Sequence, residues 1–167
     1  MKRNESAAWR RQQSPGAHGC ERYKRVRMWA RLPATSLLMA MNAGCPACVV
    51  SAVSINFGSY DPFFQQSLDS TGSIYVSCDA ATAYSIALSP GRGAYTSRAM
   101  ANGSHELHYN LYTGVAHATV WGDGTVGTAT VAASGMSDEH TVYGSIPAGQ
   151  NVFSGNYSDT IVVTLTF

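Results

Sequence analysis

The stretch Tyr157–Phe167 reads YSDTIVVTLTF, and from Thr160 onward its side chains alternate. Ile161, Val163, Leu165 and Phe167 share one face, and Thr160, Val162, Thr164 and Thr166 share the other. A period of two over eight residues predicts a β-strand with one buried face. Such a strand needs a hydrogen-bonding partner along each edge, and what pairs with it is the question that organises the rest of the sequence.

The chain has 167 residues, enough for one domain with a sizeable core. Charged residues make up 13%, about half the usual share, and Gly, Ser, Thr, Ala and Val dominate beyond the first third. This composition predicts an all-β fold.

Charge is divided unevenly. Residues 1–32 carry nine of the eleven Lys and Arg against Glu5 and Glu21. Residues 33–167 carry only Arg92 and Arg98 against eight acids. A basic arm could bind nucleic acid, but the acidic remainder would repel phosphate, so no nucleic-acid partner is expected. The run KRVRMWAR followed by LPATSLLMAMNAG and CPA reads as a targeting segment with a small-residue cleavage pattern ending at Ala47. It is too short and interrupted to span a bilayer. Met28 is a candidate true start, and the composition of residues 1–27 reads as disordered. Ala43-Gly44-Cys45 faintly suggests a lipid-modified cysteine. The domain boundary thus falls between an extension with an export segment, residues 1–47, and a folded body, residues 48–167.

Within the body, short strands alternate with turn signals. Residues 49–57, 72–78, 84–88, 106–112, 126–132 and 141–146 read as strands, ahead of the terminal one. Gly58 and Pro62, Pro90-Gly91 and Asp123-Gly124 punctuate them. Some seven strands at this spacing predict an immunoglobulin-like β-sandwich. Of the four cysteines, Cys48 and Cys78 stand at the starts of two adjacent strands, and a disulfide between them suits an oxidising compartment. It would close a loop of about thirty residues, which contributes roughly 3–4 kcal/mol. The CxxC of Cys45 and Cys48 lacks the βαβ context of a redox motif and the second pair of a zinc site.

Catalytic patterns are weak. His105 and His108, three apart on a strand, point to opposite faces and do not make a metal site. Asp138-Glu139-His140 reads as a solvated loop ahead of a strand. Asp123 alone falls short of the six to eight oxygens that calcium takes. There is no GxSxG, HExxH or phosphate-cradling loop. Tyr109, Tyr112, Trp121, Tyr143 and Tyr157 could line a carbohydrate site, although aromatics on sandwich strands usually fill the core. Asn102 and Asn156 fit the glycosylation pattern, which matters only in a eukaryotic secretory host. No catalytic residue, metal or cofactor is expected.

Four blocks in order resemble the spore coat protein U domain family, whose members include secreted coat proteins and subunits of archaic chaperone–usher pili. They are Cys48 with Val50-Ser51-Ala52 and Asn56-Phe57-Gly58-Ser59-Tyr60-Asp61-Pro62; Gly72 to Cys78 (GSIYVSC); LHYNLY from Leu107 with TVWGDGT from Thr119; and YGSIPAGQ from Tyr143 with GNYSDT from Gly155. Ser145 stands where Arg is commoner. The resemblance covers residues 48–167 and implies a non-enzymatic structural protein: an incomplete immunoglobulin-like sandwich whose last strand arrives in trans. A periplasmic chaperone supplies that strand first, and a neighbouring subunit replaces it at the usher. It implies passage through the periplasm to the cell surface, in a pilus or coat that serves adhesion and biofilm. The expected groove is lined by Ile161, Val163, Leu165 and Phe167. Residues 32–47 show no alternating donor segment, so the chain is expected to accept a strand without giving one. The alternatives are a tip adhesin that binds a surface or carbohydrate and, weakest, a secreted hydrolase.

Overall fold

The protein is described by a computed structural model that covers residues 5–13, 46–125 and 127–167. Cys20, Cys45, the core of the export segment and the candidate cleavage motif up to Cys45 lie outside these residues. All regular structure is β: β1 (Glu5–Gln13), β2 (Cys48–Val53), β3 (Ile55–Gly58), β4 (Leu68–Leu88), β5 (Arg92–Ala94), β6 (Ser97–Asn102), β7 (His105–Tyr112), β8 (Val131–Ile146) and β9 (Ser158–Thr166). Their order by pairing is β2-β4-β8-β7-β6-β9-β1-β3, with β5 as a hairpin on β6. A second pairing joins β9 to β4 and closes β4, β8, β7, β6 and β9 into a ring. The result is an immunoglobulin-like sandwich whose layers are continuous at one side, as in a barrel.

Strand β4 makes that continuity. Its first half pairs β2 on one edge and the second half of β8 on the other. Its last residues pair the start of β8 and the end of β9, with Ser85 opposite Thr166 and Leu88 opposite Val163. The sequence predicts two strands here, separated by a polar turn at residues 79–83. The chain instead runs on through an irregularity between Ser77 and Thr82, because β8 continues beside it. On β8, one residue, Met136, spans the gap that residues 78–81 span on β4. That odd difference moves the partly buried set on β8 from Val131, Ala133 and Gly135 to Asp138, His140 and Val142. A bulge changes which face each side chain takes, and no local periodicity announces it.

The region expected as one strand over residues 49–57 divides at Ser54. β2 joins β4, while β3 reaches the far end of the sheet order beside β1. The crossing passes close to Gly72, where a Cβ would come within 2.7 Å of both the Val53 carbonyl and the Ile55 side chain. Residues 92–102, expected as loop, form β5 and β6. The core draws on almost every strand: Val50, Ile55, Phe57, Ile74, Val76, Ile86, Leu88, Met100, Leu107, Leu111, Val142, Ile146, Ile161, Val163 and Leu165 are all buried.

The remaining difference lies at the N-terminus. Residues 1–27 read as disordered from composition, yet Glu5–Gln13 is a strand. Few apolar residues there can drive folding alone, so the order comes from the open backbone edges of β9 and β3.

Candidate functional site

The strand that opened the question has a neighbour along each edge. Toward the body, β4 pairs with Val163–Thr166 and β6 meets Ser158 at Ala101. Toward the outside, β1 runs parallel to β9 from Ser6 opposite Ser158 to Gln13 opposite Leu165. Beyond β1 lies β3, antiparallel, with Glu5 opposite Gly58 and Ala7 opposite Ile55. The slot between β9 and β3 is therefore one strand wide, and the chain's own N-terminal segment occupies it.

The slot has apolar walls. Ile161, Val163 and Leu165 are buried on β9, as are Ile55 and Phe57 on β3. Phe167 follows the end of β9 and is half exposed. Gly144 lets β8 come close beneath, since a Cβ there would stand 2.7 Å from the Phe57 ring.

One end of β9 is anchored by a buried polar network that pattern reading missed. Asp159 is buried and accepts hydrogen bonds from the Tyr109 hydroxyl at 2.7 Å, the Arg92 amide at 3.0 Å and the Thr160 amide at 2.7 Å. Gly91, at positive φ, leaves the room for this approach. Burial raises the Tyr109 phenol above its ordinary range, and the Asp159 carboxylate adds to the shift. Next to it, Arg98 is fully buried. Its Nε and Nη2 donate to the Ser89 carbonyl at 3.2 and 3.1 Å, Nη2 also to the Trp121 carbonyl at 2.7 Å, and Nη1 to Asn110 Oδ1 at 2.5 Å. The Tyr95 ring lies 5.4 Å from the guanidinium carbon. Burial lowers the Arg98 pKa, and Tyr109, Tyr95 and Asp159 oppose that shift. The guanidinium stays charged. Its bonds are to carbonyls, so the network holds by charge-assisted hydrogen bonds.

These partners explain the sequence blocks physically. Tyr109 and Asn110 come from YNLY, Trp121 from WGDGT and Asp159 from YSDT, and all meet around Arg98. Trp121 also donates its indole N–H to the Ile86 carbonyl at 3.0 Å. A second lock joins YDP to PAGQ. The Tyr60 hydroxyl donates to the Pro147 carbonyl at 3.0 Å and accepts from the Gln150 amide at 2.7 Å. The Gln150 side chain then pairs with both backbone groups of His108, each at 2.8 Å, as another strand would. One sequence clue pointed to Arg98: it is one of only two cations in an acidic body.

Cys48 and Cys78 form a disulfide with S–S 2.05 Å, directly opposite each other in the β2–β4 register. The candidate catalytic groups do not gather at one site: Asp138 and His140 share the Tyr84 hydroxyl, and the others stand apart from them. His105 stacks on Phe153, at 4.2 Å between ring centres, while His108 is exposed and meets Ser97 Oγ at 3.1 Å. Asp123 accepts from the Thr125 amide and hydroxyl in its own turn, and these bonds, with a smaller contribution from Tyr95, hold the carboxyl below its usual range. Asp138, Glu139 and His140 lie within β8 rather than in a loop. The Tyr84 hydroxyl donates to Asp138 Oδ2 at 2.6 Å and meets His140 Nε2 at 2.9 Å. Tyr109, Trp121 and Tyr157 are buried, which removes three of the five aromatics considered for a carbohydrate platform. Among the described residues no group of three or more His, Cys, Asp or Glu could hold a metal ion. No helix among them is long and apolar enough to cross a membrane.

Comparison with known proteins agrees with this geometry. Residues 34–164 match the family described as Spore Coat Protein U domain. The chain is 38% identical over 130 residues to Protein U of Myxococcus xanthus, an alignment that covers 68% of this chain and 71% of that protein. Its fold is similar to one chain of the crystal structure of the CsuC–CsuE chaperone–tip adhesion subunit pre-assembly complex from archaic chaperone–usher Csu pili of Acinetobacter baumannii. That likeness has a TM-score of 0.51 at 21% identity and spans 73% of this chain but only 40% of the other. With the matched blocks, the disulfide and the sandwich in agreement, the chain belongs to the spore coat protein U domain family.

Proposed function

We propose that this protein is an exported, non-enzymatic subunit of a bacterial surface pilus or coat, and that the slot between β9 and β3 receives a β-strand from a partner. The observation that carries the reading is the outer edge of β9, which bonds a separate strand from Ser158 to Leu165 beside the buried Ile161, Val163 and Leu165, with the β3 edge facing the first residues of that strand at Ile55 and Asn56. Strand addition satisfies both edges and fills the alternate apolar positions. The partners of this chemistry are a periplasmic chaperone, then a neighbouring subunit delivered at an usher. Export rests on the basic-then-apolar segment before residue 48 and on the disulfide, which suits an oxidising compartment.

Co-expression with a chaperone of this class tests the reading. A one-to-one complex is expected in which hydrogen exchange slows along β9 and β3. Protection confined to other strands, or no complex with a folded, disulfide-bonded chain, overturns it.

A second reading, surface binding at a fibre tip, is favoured by three phenylalanines on loops: Phe63, Phe64 and Phe153 are 87%, 58% and 67% exposed. Retention on an apolar surface that disappears when all three are changed to Ser supports it, and unchanged retention removes it.

A further inference from the structure

A notch opens where β7 leaves β8. The ladder between them stops at Tyr112 opposite Tyr143, because the Thr113 amide turns to the Thr119 carbonyl at 3.1 Å. Among the described residues no strand pairs that edge of β8 from Val131 to Val142, while β4 takes the other edge. The notch is a cleft of about 240 Å³, to which the segment after β7 contributes Thr113 and Trp121, and β8 contributes Glu139, His140, Thr141 and Tyr143. Glu139, Thr141 and Tyr143 alternate on one face of β8 and His140 lies on the other, and the open edge lets both faces line the cleft. Tyr112 and Tyr143 are the two aromatics left partly exposed of those considered for a carbohydrate platform, and the register sets them directly opposite each other on one face of the sheet. The His117 ring lies 4.8 Å from that of Tyr112, and His117 is the one non-glycine at positive φ among the described residues, a strain of the kind that collects at binding loops. The polar groups are set as well. The Tyr84 hydroxyl gives its single proton to Asp138 Oδ2 at 2.6 Å, so at 2.9 Å it accepts from His140 Nε2, and in the neutral ring Nδ1 is left as an acceptor. Ser73 and Tyr75 fix Glu139 and hold its carboxyl below the usual range. Among the described residues no hydrogen bond of the protein engages the Thr141 or Tyr143 hydroxyl.

We propose that this notch binds an uncharged hexose unit of a polysaccharide. A pyranose ring carries C–H groups on its faces and hydroxyls on its rim. The C–H face stacks on Tyr143 beside Tyr112, and the rim hydroxyls pair with Thr113, Thr141, His140 Nδ1 and the Glu139 carboxylate. A cleft of about 240 Å³ falls below the roughly 300 Å³ at which sites for drug-sized ligands begin, which suits a single sugar ring. Charge selects against acidic polymers. Of the two cations in residues 33–167, Arg92 pairs with Glu106 at 3.2 Å and Arg98 is fully buried, while Glu139 stands in the cleft itself. An extended peptide is a poorer occupant, because the irregularity at Met136 interrupts the edge along which a strand would pair. The site lies on β7 and β8 and not on β9, so the inference goes beyond the strand-acceptor reading and does not depend on it.

The test is affinity electrophoresis of the folded, disulfide-bonded chain through gels that hold a soluble β-glucan, an α-glucan or a galactomannan, with alginate and glycol chitosan as the acidic and basic controls. At least one neutral polymer should retard the native chain more than either charged one does. Tyr143→Ala should weaken that binding about tenfold, and Tyr143→Phe, which keeps the ring, by no more than about threefold. No retardation by any neutral polymer, with the disulfide and β-sheet circular dichroism intact, overturns the site. Equal or stronger retardation by alginate or glycol chitosan overturns it too, and so does equal retardation of the native chain and Tyr143→Ala. Phe63→Ser with Phe64→Ser should bind as the native chain does, and a loss of binding there moves the ligand to that loop and overturns the notch. If Tyr143→Ala does not fold, Thr141→Ala decides: this exposed position should weaken binding about threefold, and unchanged binding overturns the site.

Discussion

Strand β9 has two edges, and its neighbours differ in kind. Toward β4, Val163 stands opposite Leu88 and Leu165 opposite Ile86, and all four are buried. Toward β1, the same two residues stand opposite Arg11 and Gln13. The first edge is matched in both main chain and side chains. The second is paired in main chain over eight residue pairs, from Ser6 opposite Ser158 to Gln13 opposite Leu165. Backbone groups thus determine that an edge will be covered, and side chains determine how firmly and by what.

The largest effect should come from the residue the two edges share. Val163→Asp puts a carboxylate in the core between them and should cost at least about 4 kcal/mol. No folded monomer should then be recovered, and chaperone co-purification should be lost with it. A soluble, disulfide-bonded Val163→Asp chain with native circular dichroism would remove Val163 from the core of the comparison.

Leu88→Ala tests the β4 edge alone. It should cost about 3 kcal/mol in denaturant unfolding, the usual range for a buried leucine truncated in a packed site. Tyr109→Phe acts at the head of β9, where Asp159 would lose its 2.7 Å donor. A cost of about 1–2 kcal/mol is expected, because Asp159 keeps two amide donors. Arg11→Ala tests the β1 edge and should move stability by no more than about 0.5 kcal/mol. The contrast between Leu88→Ala and Arg11→Ala is the sharpest measure. If the two costs are equal, the edges are equivalent and β1 is an integral strand.

Several features were legible because they are local. The alternation in IVVTLT gave away β9, and the same period marked the inner residues of β4 and β7. Turn residues marked the breaks after β3, β4, β7 and β8, but the breaks expected at 79–83 and between 126–132 and 141–146 are bridged by the continuous β4 and β8. Asp138 and His140 were not legible as partly buried, since their facing depends on how many residues β4 and β8 each use to pass the bulge. Arg98 read as a residue of the long glycine-containing loop that follows Pro90-Gly91. Its burial depends on Ser89, Asn110 and Trp121, which stand nine to twenty-three residues away in sequence. The matched blocks held Tyr109, Asn110, Trp121 and Asp159 before any geometry could say that these four gather round one arginine.

By itself the sequence determined the β class, the core face of the last strand, the candidate cysteine pair and the family blocks. Each follows from side-chain period, composition or order along the chain. Tertiary structure alone decided that β4 and β8 each run unbroken past their irregularity, that a buried cation anchors the head of β9, and that Glu5–Gln13 lies along its outer edge. Those outcomes depend on pairing between distant segments. A polar segment such as ESAAWRRQQ shows no strand period of its own, and it becomes a strand where two open backbone edges stand ready to bond it.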